Sequence, residues 1–416
     1  MNQRARITFI LSLGLAVAAF NGALGDETNR PSLYVTDQAL NTVTEYDAIT
    51  GAFRQILIPY PGDVCTIGPP PPPLGIPPAG CLVGPNGIVV SNANAPQLMI
   101  ANQNVKLDVN GDIRIFIPGP PVKAALSGNP PAQMALDPKA PLAPFGILLH
   151  GNEILLSDEG DIGVPGAVNV FDTLTNTFLP SFDSSGYTKR IGNPYGFHPF
   201  GMVIGPDGYL YVTSRCLAPP PKHGPIPGLT CDASGGPAGD VIRFDLTTKQ
   251  FVDVFVSGGP APGCACLDRP SGVVFGPDQR LYVANSVLPI NKPVNTDNIV
   301  IFKGTQKVGT IGLGDGGNVF NQPSALLFGP GGLLSVNIVQ FICNNCGFNP
   351  QQTTGGVRRC SVTSKQCKDI VPLNTDPAKG GLQSPTGLSF RSTNPATLVY
   401  ENDDQNEDQN NNQNND

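Results

Sequence analysis

The sequence predicts an all-β fold of many short antiparallel strands, and three observations support this. The 416 residues include 49 Gly and 44 Pro, which punctuate short apolar runs. Stretches with the periodicity of a long helix are absent, and charged residues make up only 14% of the chain. An apolar run, a polar turn and a second apolar run recur along the sequence. Short strands joined by Gly- and Pro-rich turns are typical of all-β domains.

The recurring unit begins with a hairpin of two strands, here called a and b. Its clearest copies are RPSGVVFGPDQRLYVANS (269–286), HPFGMVIGPDGYLYVTSR (198–215) and QPSALLFGPGGLLSVNIV (322–339). Looser copies begin at Gly84, Ala143 and Ser384. A second hairpin follows, as in GDVIRFDLTTKQF (239–251), and supplies strands c and d. One unit therefore predicts four antiparallel strands.

Repeated four-stranded units predict a β-propeller, because one unit buries its two faces only by packing against its neighbours around an axis. A Pro precedes each strand a, and it falls at Pro85, Pro144, Pro199, Pro270, Pro323 and Pro385. The N-terminal piece 32–53 lacks a strand a, which the copy at Pro385 can supply. We therefore predict six blades, with the two chain ends paired in one of them. TLVY (397–400) resembles an additional strand b, so it is either a surplus extension or a sign of the alternative, a ring of seven blades.

The two ends of the chain differ from the repeats. Residues 1–25 have the order of a secretory signal peptide: Arg4 and Arg6, an apolar run, then small residues up to Gly25. The alternative is an uncleaved anchor helix. Residues 31–400 are predicted to form one propeller domain, and residues 401–416 an acidic, Asn-rich, disordered tail. We therefore expect a secreted or periplasmic protein.

Ten Cys follow the predicted signal peptide, and an even number in an exported chain indicates disulfides. The spacing and the loops predict Cys65–Cys81 and Cys360–Cys367, with Cys343–Cys346 as a further candidate pair. The other four, on adjacent blades, are expected to pair among themselves, with Cys264–Cys266 the least favoured pair because its ring would be strained. These four are Cys216, Cys231, Cys264 and Cys266. Their alternative role is a metal cluster.

The charge of the chain argues against two classes of partner. Its formal net charge is −7, and it has no basic run. Nucleic acids and anionic lipid surfaces attract basic patches, so neither is an expected partner. Beyond the signal segment, no stretch is long and apolar enough to predict a membrane span in the mature chain.

The repeats resemble those of NHL-repeat propellers and of the regucalcin–gluconolactonase superfamily, which also includes strictosidine synthase and virginiamycin B lyase. The resemblance rests on P-x-G-Φ-x-F-G-P-x-G-x-L-Y-V, where Φ is apolar, and on V-x-x-F-D, and it covers nearly all of residues 31–400. It implies that ligands bind at the mouth of the axis, on the face that carries the d-to-a and b-to-c loops. This chain has its long Pro-, Gly- and Cys-rich insertions in those loops, including 61–81, 214–236 and 337–356.

The resemblance also implies a divalent cation, such as Ca²⁺, held by acidic or amide side chains just after the Pro of strand a. The matching residues here are Asn86, Phe145, Phe200, Ser271, Ser324 and Thr386. Only Asn86 is a good oxygen ligand, which counts against this metal site. A lyase-like site built on His is also disfavoured, because only His198 is placed on the loop face at the start of a strand a, while His150 falls at a turn on the opposite face.

Two further groups of polar residues are candidates. Asp158, Glu159 and Asp161 could bind Ca²⁺ or act in acid–base chemistry, and the alternative is a solvated turn. Short polar residues also recur near the end of strand b, where we expect them to bond local backbone. These are Asp37, Asn102, Asp158, Asn285 and Asn337.

We predict a binding module that recognises a protein, peptide, glycan or small molecule through its loop face. The predicted ligand-contacting residues are Asn86, Phe145, Phe200, His198, Ser271, Ser324 and Thr386. No cofactor is expected, and Ca²⁺ is the one candidate ion. The alternative is a lactonase- or esterase-like hydrolase, or a lyase, with a rebuilt and metal-dependent site at the axis.

Overall fold

The computed structural model shows a ring of six blades, each a four-stranded antiparallel sheet. It describes residues 31–58, 81–91, 96–104, 110–117, 123–124, 137–161, 164–191, 196–215, 239–258, 267–286, 297–313, 319–342, 351–373 and 376–401. Within these ranges the all-β, six-bladed prediction is confirmed.

The strands follow the predicted repeats in chain order. They are β1 (Ser32–Asp37), β2 (Thr42–Asp47), β3 (Phe53–Ile58), β4 (Pro85–Val90), β5 (Leu98–Asn102), β6 (Asp112–Ile117), β7 (Lys123–Ala124), β8 (Pro144–His150), β9 (Glu153–Asp158), β10 (Ala167–Asp172), β11 (Thr177–Leu179), β12 (Pro199–Ile204), β13 (Tyr209–Ser214), β14 (Asp240–Asp245), β15 (Phe251–Ser257), β16 (Arg269–Phe275), β17 (Leu281–Ser286), β18 (Asn298–Lys303), β19 (Gln306–Gly312), β20 (Val319–Phe328), β21 (Leu334–Ile342), β22 (Gln351–Cys360), β23 (Cys367–Val371) and β24 (Pro385–Phe390). One α-helix, α1 (Ser185–Ile191), lies between β11 and β12, and short 3₁₀ helices span Pro330–Gly332 and Pro377–Lys379.

The ring closes through its first blade, whose sheet order is β24-β1-β2-β3. The last strand of the ring pairs with the first, from Leu33 opposite Phe390 to Asp37 opposite Pro385. Blades 2 to 6 each take four consecutive strands, beginning with β4, β8, β12, β16 and β20. This confirms the predicted closure, which leaves no unpaired sheet edge between the chain ends.

The recurring Pro-x-Gly is explained by the crowding of the innermost strands around the axis. A Cβ on Gly201 would lie 2.3 Å from the carbonyl oxygen of Ser271 in the next blade. Blades 2 and 3 repeat this contact, because a Cβ on Gly87 would lie 2.5 Å from the carbonyl oxygen of Phe145. A real Cβ cannot approach a backbone oxygen so closely, so glycine lets the strands converge.

Hydroxyl groups on strand b join adjacent blades at the same level. Thr213 Oγ1 accepts a hydrogen bond from Gly201 N at 2.9 Å and donates to the Ser271 carbonyl of the next blade at 2.6 Å. Ser157 and Thr36 make the equivalent pair of bonds in blades 3 and 1. Together with the apolar clusters between blades, these bonds fix the spacing of the innermost strands.

The segment after β24 closes the axis from the side of the short turns. The backbone N–H groups of Leu149 and Ile204, at the ends of two innermost strands, donate to the carbonyls of Pro395 and Ala396 at 3.0 and 3.3 Å. Leu398 packs against four of the five apolar clusters, as only a side chain close to the axis can. We call residues 391–401 the axial plug.

The plug decides between the two interpretations of TLVY (397–400) in favour of a surplus extension. It is neither a competing strand b nor part of a seventh blade, because β1 fills that place in the closing sheet. Leu398 has a φ of 56°, in the left-handed region. The side chain of Asn394 accepts hydrogen bonds from the N–H groups of Ala396 and Thr397, which makes a tight turn.

Blade 6 differs from the expectation that 337–356 is an irregular loop. Strand β21 continues to Ile342 and β22 begins at Gln351, and the two stay paired over these residues. Strand β20 begins at Val319 and pairs with the same extension. The sheet of blade 6 therefore rises beyond the other blades on the loop face, where most of the other long insertions lie outside the described residues.

The structure confirms one predicted disulfide, Cys360–Cys367, which joins β22 to β23 with its Cα atoms 4.0 Å apart. Cys81 is also disulfide-bonded, and its predicted partner Cys65 lies outside the described residues. The other cysteines lie there too, as do the predicted signal peptide and nearly all of the tail. In the described ranges, no helix has the length and apolarity that a membrane crossing requires.

Candidate functional site

The first layer of the site is the mouth ring, formed by the residue after each strand-a Pro. In chain order these residues are Asn86, Phe145, Phe200, Ser271, Ser324 and Thr386. Four of the six donate to the Pro carbonyl of the next blade around the axis. The bonds are Asn86 to Pro144 at 2.8 Å, Ser271 to Pro323 at 2.8 Å, Ser324 to Pro385 at 3.0 Å, and Thr386 to Pro85 at 2.9 Å. Their donor groups therefore connect blades.

The mouth ring has few side chains that could bind a cation. It contains no carboxylate, and Asn86 is its one amide. The side chain of Asn86 is fully buried, and its Oδ1 has no hydrogen-bond partner among the described residues. Those residues contain no group of three or more His, Cys, Asp or Glu side chains that could hold a metal ion.

The two Phe residues interrupt this pattern in blades 3 and 4. Their rings pack edge to face, with centroids 4.9 Å apart. The guanidinium carbon of Arg215 lies 3.6 Å from the centroid of the Phe200 ring. Arg215 Nε donates to the Pro270 carbonyl at 2.8 Å, the bond that a polar residue at Phe200 would make. Phe145, Phe200 and Arg215 thus form a stack at the mouth, with a cation–π contact at one end.

A second layer, the upper tier, lies above the mouth ring and consists of two residues per blade. One precedes the strand-a Pro and the other comes next to the end of strand b; Arg215 N, for example, donates to the His198 carbonyl at 3.0 Å. The pairs from blade 1 to blade 6 are Ser384 and Gln38, Gly84 and Gln103, Ala143 and Glu159, His198 and Arg215, Arg269 and Ser286, and Gln322 and Val339. The titratable members all lie in blades 3 to 5.

These four side chains, Glu159, His198, Arg215 and Arg269, influence one another. His198 Nδ1 lies 2.7 Å from the Glu159 carbonyl, which can only accept, so Nδ1 carries a proton. Burial raises the pKa of the Glu159 carboxyl above its usual value, although Arg215, His198 and Arg269 oppose the rise. Burial, with Arg269 adding to it, lowers the pKa of Arg215 to about 9, which leaves it charged at neutral pH.

Below the mouth ring lies an apolar cavity of about 60 Å³ on the axis. All six innermost strands line it, and Leu398 of the plug belongs to its wall. Phe145 lines the cavity and also contacts Phe200, so it joins the cavity to the stack at the mouth. The blade 3–5 sector thus combines apolar surface with charge.

The predicted acidic trio does not act as one group. Asp158 accepts hydrogen bonds from the N–H groups of Leu142, Ala143 and Gly160 at 2.8 to 3.0 Å. Asp161 is exposed and forms a β-bridge with Val164. Of the three, only Glu159 belongs to the upper tier.

The polar residues at the ends of strand b bond local backbone, as predicted. Asp37 accepts from the N–H groups of Gln383 and Ser384, Asn102 from that of Val83, and Asn285 from that of Asp268. The prediction for Asn337 is wrong, because neither polar atom of its buried amide has a hydrogen-bond partner among the described residues, and Ile338 is the residue opposite Pro323.

Sequence reasoning missed Arg215 and Arg269. Their signal is visible only when the six repeats are aligned at the two upper-tier positions, where blades 3 to 5 carry charged or imidazole side chains and the other blades carry neutral ones. The repeat motif covers the strands and omits these flanking positions.

Comparisons with known proteins give the following result. No family model and no curated protein matches the chain. Among solved structures, TolB from Acinetobacter baumannii is 10% identical with a TM-score of 0.45, covering 90% of this chain and 70% of that one. A protein of unknown function from Bacteroides caccae is 12% identical with a TM-score of 0.44, covering 87% and 98%. The calcium-binding protein regucalcin from Agrobacterium tumefaciens is 10% identical with a TM-score of 0.39, covering 76% and 94%. Similarities this low say nothing about the ligand or activity of this chain. The fold is assigned from the strand pairing.

Proposed function

We propose that this protein is an exported binding module whose ligand contacts the blade 3–5 sector of the loop-face mouth. One observation carries the proposal: the hydrogen-bonded mouth ring is interrupted at Phe145 and Phe200, directly beneath the titratable part of the upper tier. Elsewhere the ring is used to join blades. Residues that depart from a structural pattern at neighbouring positions are candidates for recognition.

The chemistry of the sector supports this proposal. Aromatic rings supply contact area at a small entropic cost, and a few charged groups beside them orient a ligand. The long insertions of the loop face are the expected place for further contacts with a protein, peptide, glycan or small molecule. Export agrees with the disulfides, because they persist in oxidising compartments.

The test restores the missing donor of the ring. Phe145→Ser gives blade 3 the residue type that donates in blade 6, so the ring should still form. Ser324→Ala is the matched control, because it removes a donor outside the sector. We expect ligand-observed NMR with a fragment library to give hits on the wild-type protein that Phe145→Ser loses and Ser324→Ala keeps. A library with no hits, or hits that both variants retain, would contradict the proposal.

A second candidate function, a hydrolase or lyase, is favoured by Glu159 and His198. A carboxyl with a raised pKa beside an imidazole whose Nδ1 is held by a backbone carbonyl is an arrangement suited to acid–base catalysis. This candidate predicts turnover of activated esters or lactones by the wild-type protein, reduced at least tenfold in Glu159→Gln. Metal analysis of the dialysed protein shows whether such turnover depends on Ca²⁺ or Zn²⁺. Absence of turnover leaves the binding module as the better account.

A further inference from the structure

The charges of the upper tier are unbalanced in a chain whose formal net charge is −7. Two guanidinium groups, Arg215 and Arg269, act on one carboxylate, Glu159. The two cations also act on each other, since Arg269 contributes to the lowered pKa of Arg215. Like charges held in a partly buried place are stabilised by an anion, and Glu159 neutralises only one of them.

The guanidinium groups retain hydrogen-bonding capacity at the mouth. In the described part of the structure, Nε is the one nitrogen of Arg215 with a hydrogen bond, which leaves its terminal NH₂ groups beside the Phe200 ring. Arg269 is held there through its backbone N–H, which donates to Asn285 Oδ1 at 3.2 Å. The planar N–H groups of arginine match the two oxygens of a carboxylate.

The surroundings favour an anion with an apolar body over an inorganic oxyanion. Arg215 covers one Phe of the stack, and the other Phe lines the axial cavity. A sulfate or phosphate ion gains nothing from aromatic faces, whereas an aryl or alkyl group does. The cavity of about 60 Å³ has room for a few heavy atoms, so the greater part of the body would lie against the stack.

We propose that the blade 3–5 sector binds an organic carboxylate, with the carboxylate on Arg215 and Arg269 and the apolar body on Phe145, while Phe200 is buried beneath Arg215 and supports the stack. This proposal rests on the proposed binding function and names its ligand class. Glu159 is then an internal carboxylate that competes with the ligand for the same two guanidinium groups. Substituting Glu159 should therefore raise the affinity for the ligand, which a purely structural role of Glu159 does not predict.

The experiment uses benzoate as the probe, titrated calorimetrically into the mature chain. Benzamide has the same ring without the charge, and sulfate has charge without the ring. We expect benzoate to bind, benzamide to bind at least tenfold more weakly, and equimolar sulfate to leave benzoate binding unchanged. Arg269→Gln should weaken benzoate binding at least tenfold. Arg280→Gln is the matched control, because it removes an exposed arginine from the short-turn face of the same blade.

Glu159→Gln is the decisive variant. It removes the competing carboxylate, so it should increase the affinity for benzoate about threefold or more. Weaker binding in Glu159→Gln, unchanged binding in Arg269→Gln, or equal displacement by sulfate overturns the proposal. Failure of this proposal remains distinct from failure of the binding function. Benzamide and benzoate bound equally, and both lost in Phe145→Ser, would retain the sector as a binding site and reject the anionic ligand class.

Discussion

The axial plug makes a prediction that can be worked from the structure. Leu398 is partly buried, packs against four apolar clusters and lines the axial cavity. Leu398→Ala removes three carbon atoms from that contact. At about 0.8 kcal/mol per buried carbon, reduced for partial exposure and increased for the space left behind, the free energy of unfolding should fall by about 2 kcal/mol.

The left-handed backbone at Leu398 adds a second test, which concerns the order of two variants. Its φ of 56° costs a non-glycine residue about 1 kcal/mol, which Ala keeps and Gly removes. Leu398→Gly loses one more methyl group, worth about 0.8 kcal/mol, so the two changes nearly cancel. Leu398→Gly and Leu398→Ala should therefore be equally stable to within about 0.5 kcal/mol, whereas in a strand Gly is usually the less stable of the two.

The assay is equilibrium unfolding in urea, followed by far-ultraviolet circular dichroism and tyrosine fluorescence because the chain has no Trp. Leu174→Ala is the control, since Leu174 is 72% exposed and its truncation should change the free energy by less than about 0.5 kcal/mol. If Leu398→Ala matches this control, the plug does not contribute to the ring's stability. If Leu398→Gly falls more than about 1 kcal/mol below Leu398→Ala, the left-handed backbone is not part of the native plug.

Three further predictions concern the ring, the mouth and the disulfide. Gly201→Ala should lower the free energy of unfolding by more than about 2 kcal/mol in urea titrations, because its Cβ would lie 2.3 Å from a backbone oxygen, whereas Gly312→Ala, with open space around it, should be nearly neutral. The raised pKa of Glu159 means that the folded protein holds this proton more tightly than the unfolded chain, so wild-type stability should fall as pH rises from about 4.5 through the raised pKa. Glu159→Gln should lack that fall, matching wild type near pH 4 and exceeding it at pH 7 in parallel unfolding curves. Replacing both Cys360 and Cys367 with Ser should lower the free energy of unfolding by about 2 kcal/mol in urea titrations of the oxidised proteins.

The ring of six blades could be predicted from the sequence because the residues that determine it are local and repeated. A strand-a Pro marks each innermost strand, with a glycine two residues later in five of the six blades and Ala325 in blade 6, and the contact of Gly201 with the next blade shows why that spacing recurs. The closing pair β24–β1 followed from counting strands in the repeats. The inward position of Phe145 followed in the same way, because it occupies a known place in the unit.

The plug and the charged tier could not be predicted in this way. TLVY alternates like a strand, and only the turn capped by Asn394 and the left-handed Leu398 direct it under the axis. Arg215 and Arg269 come from different blades, and their proximity arises from the packing of blade 4 against blade 5, which brings together positions 54 residues apart. Periodicity within one repeat contains no information about such a contact.

The mouth ring also constrains where recognition can vary. At Asn86, Ser271, Ser324 and Thr386 the side chain that faces the axis is bonded to a neighbouring blade, so its loss leaves a buried carbonyl without that donor, and the cost appears in the stability of the ring. In blade 4 the equivalent bond is made by Arg215, and the ring position is occupied by Phe200. The bond to the next blade and the ring position therefore belong to different side chains in that blade. Phe200 is 2% exposed, so truncating it to Ala should still lower the free energy of unfolding by about 3 kcal/mol, and recognition in this sector can vary more readily at the partly exposed Phe145.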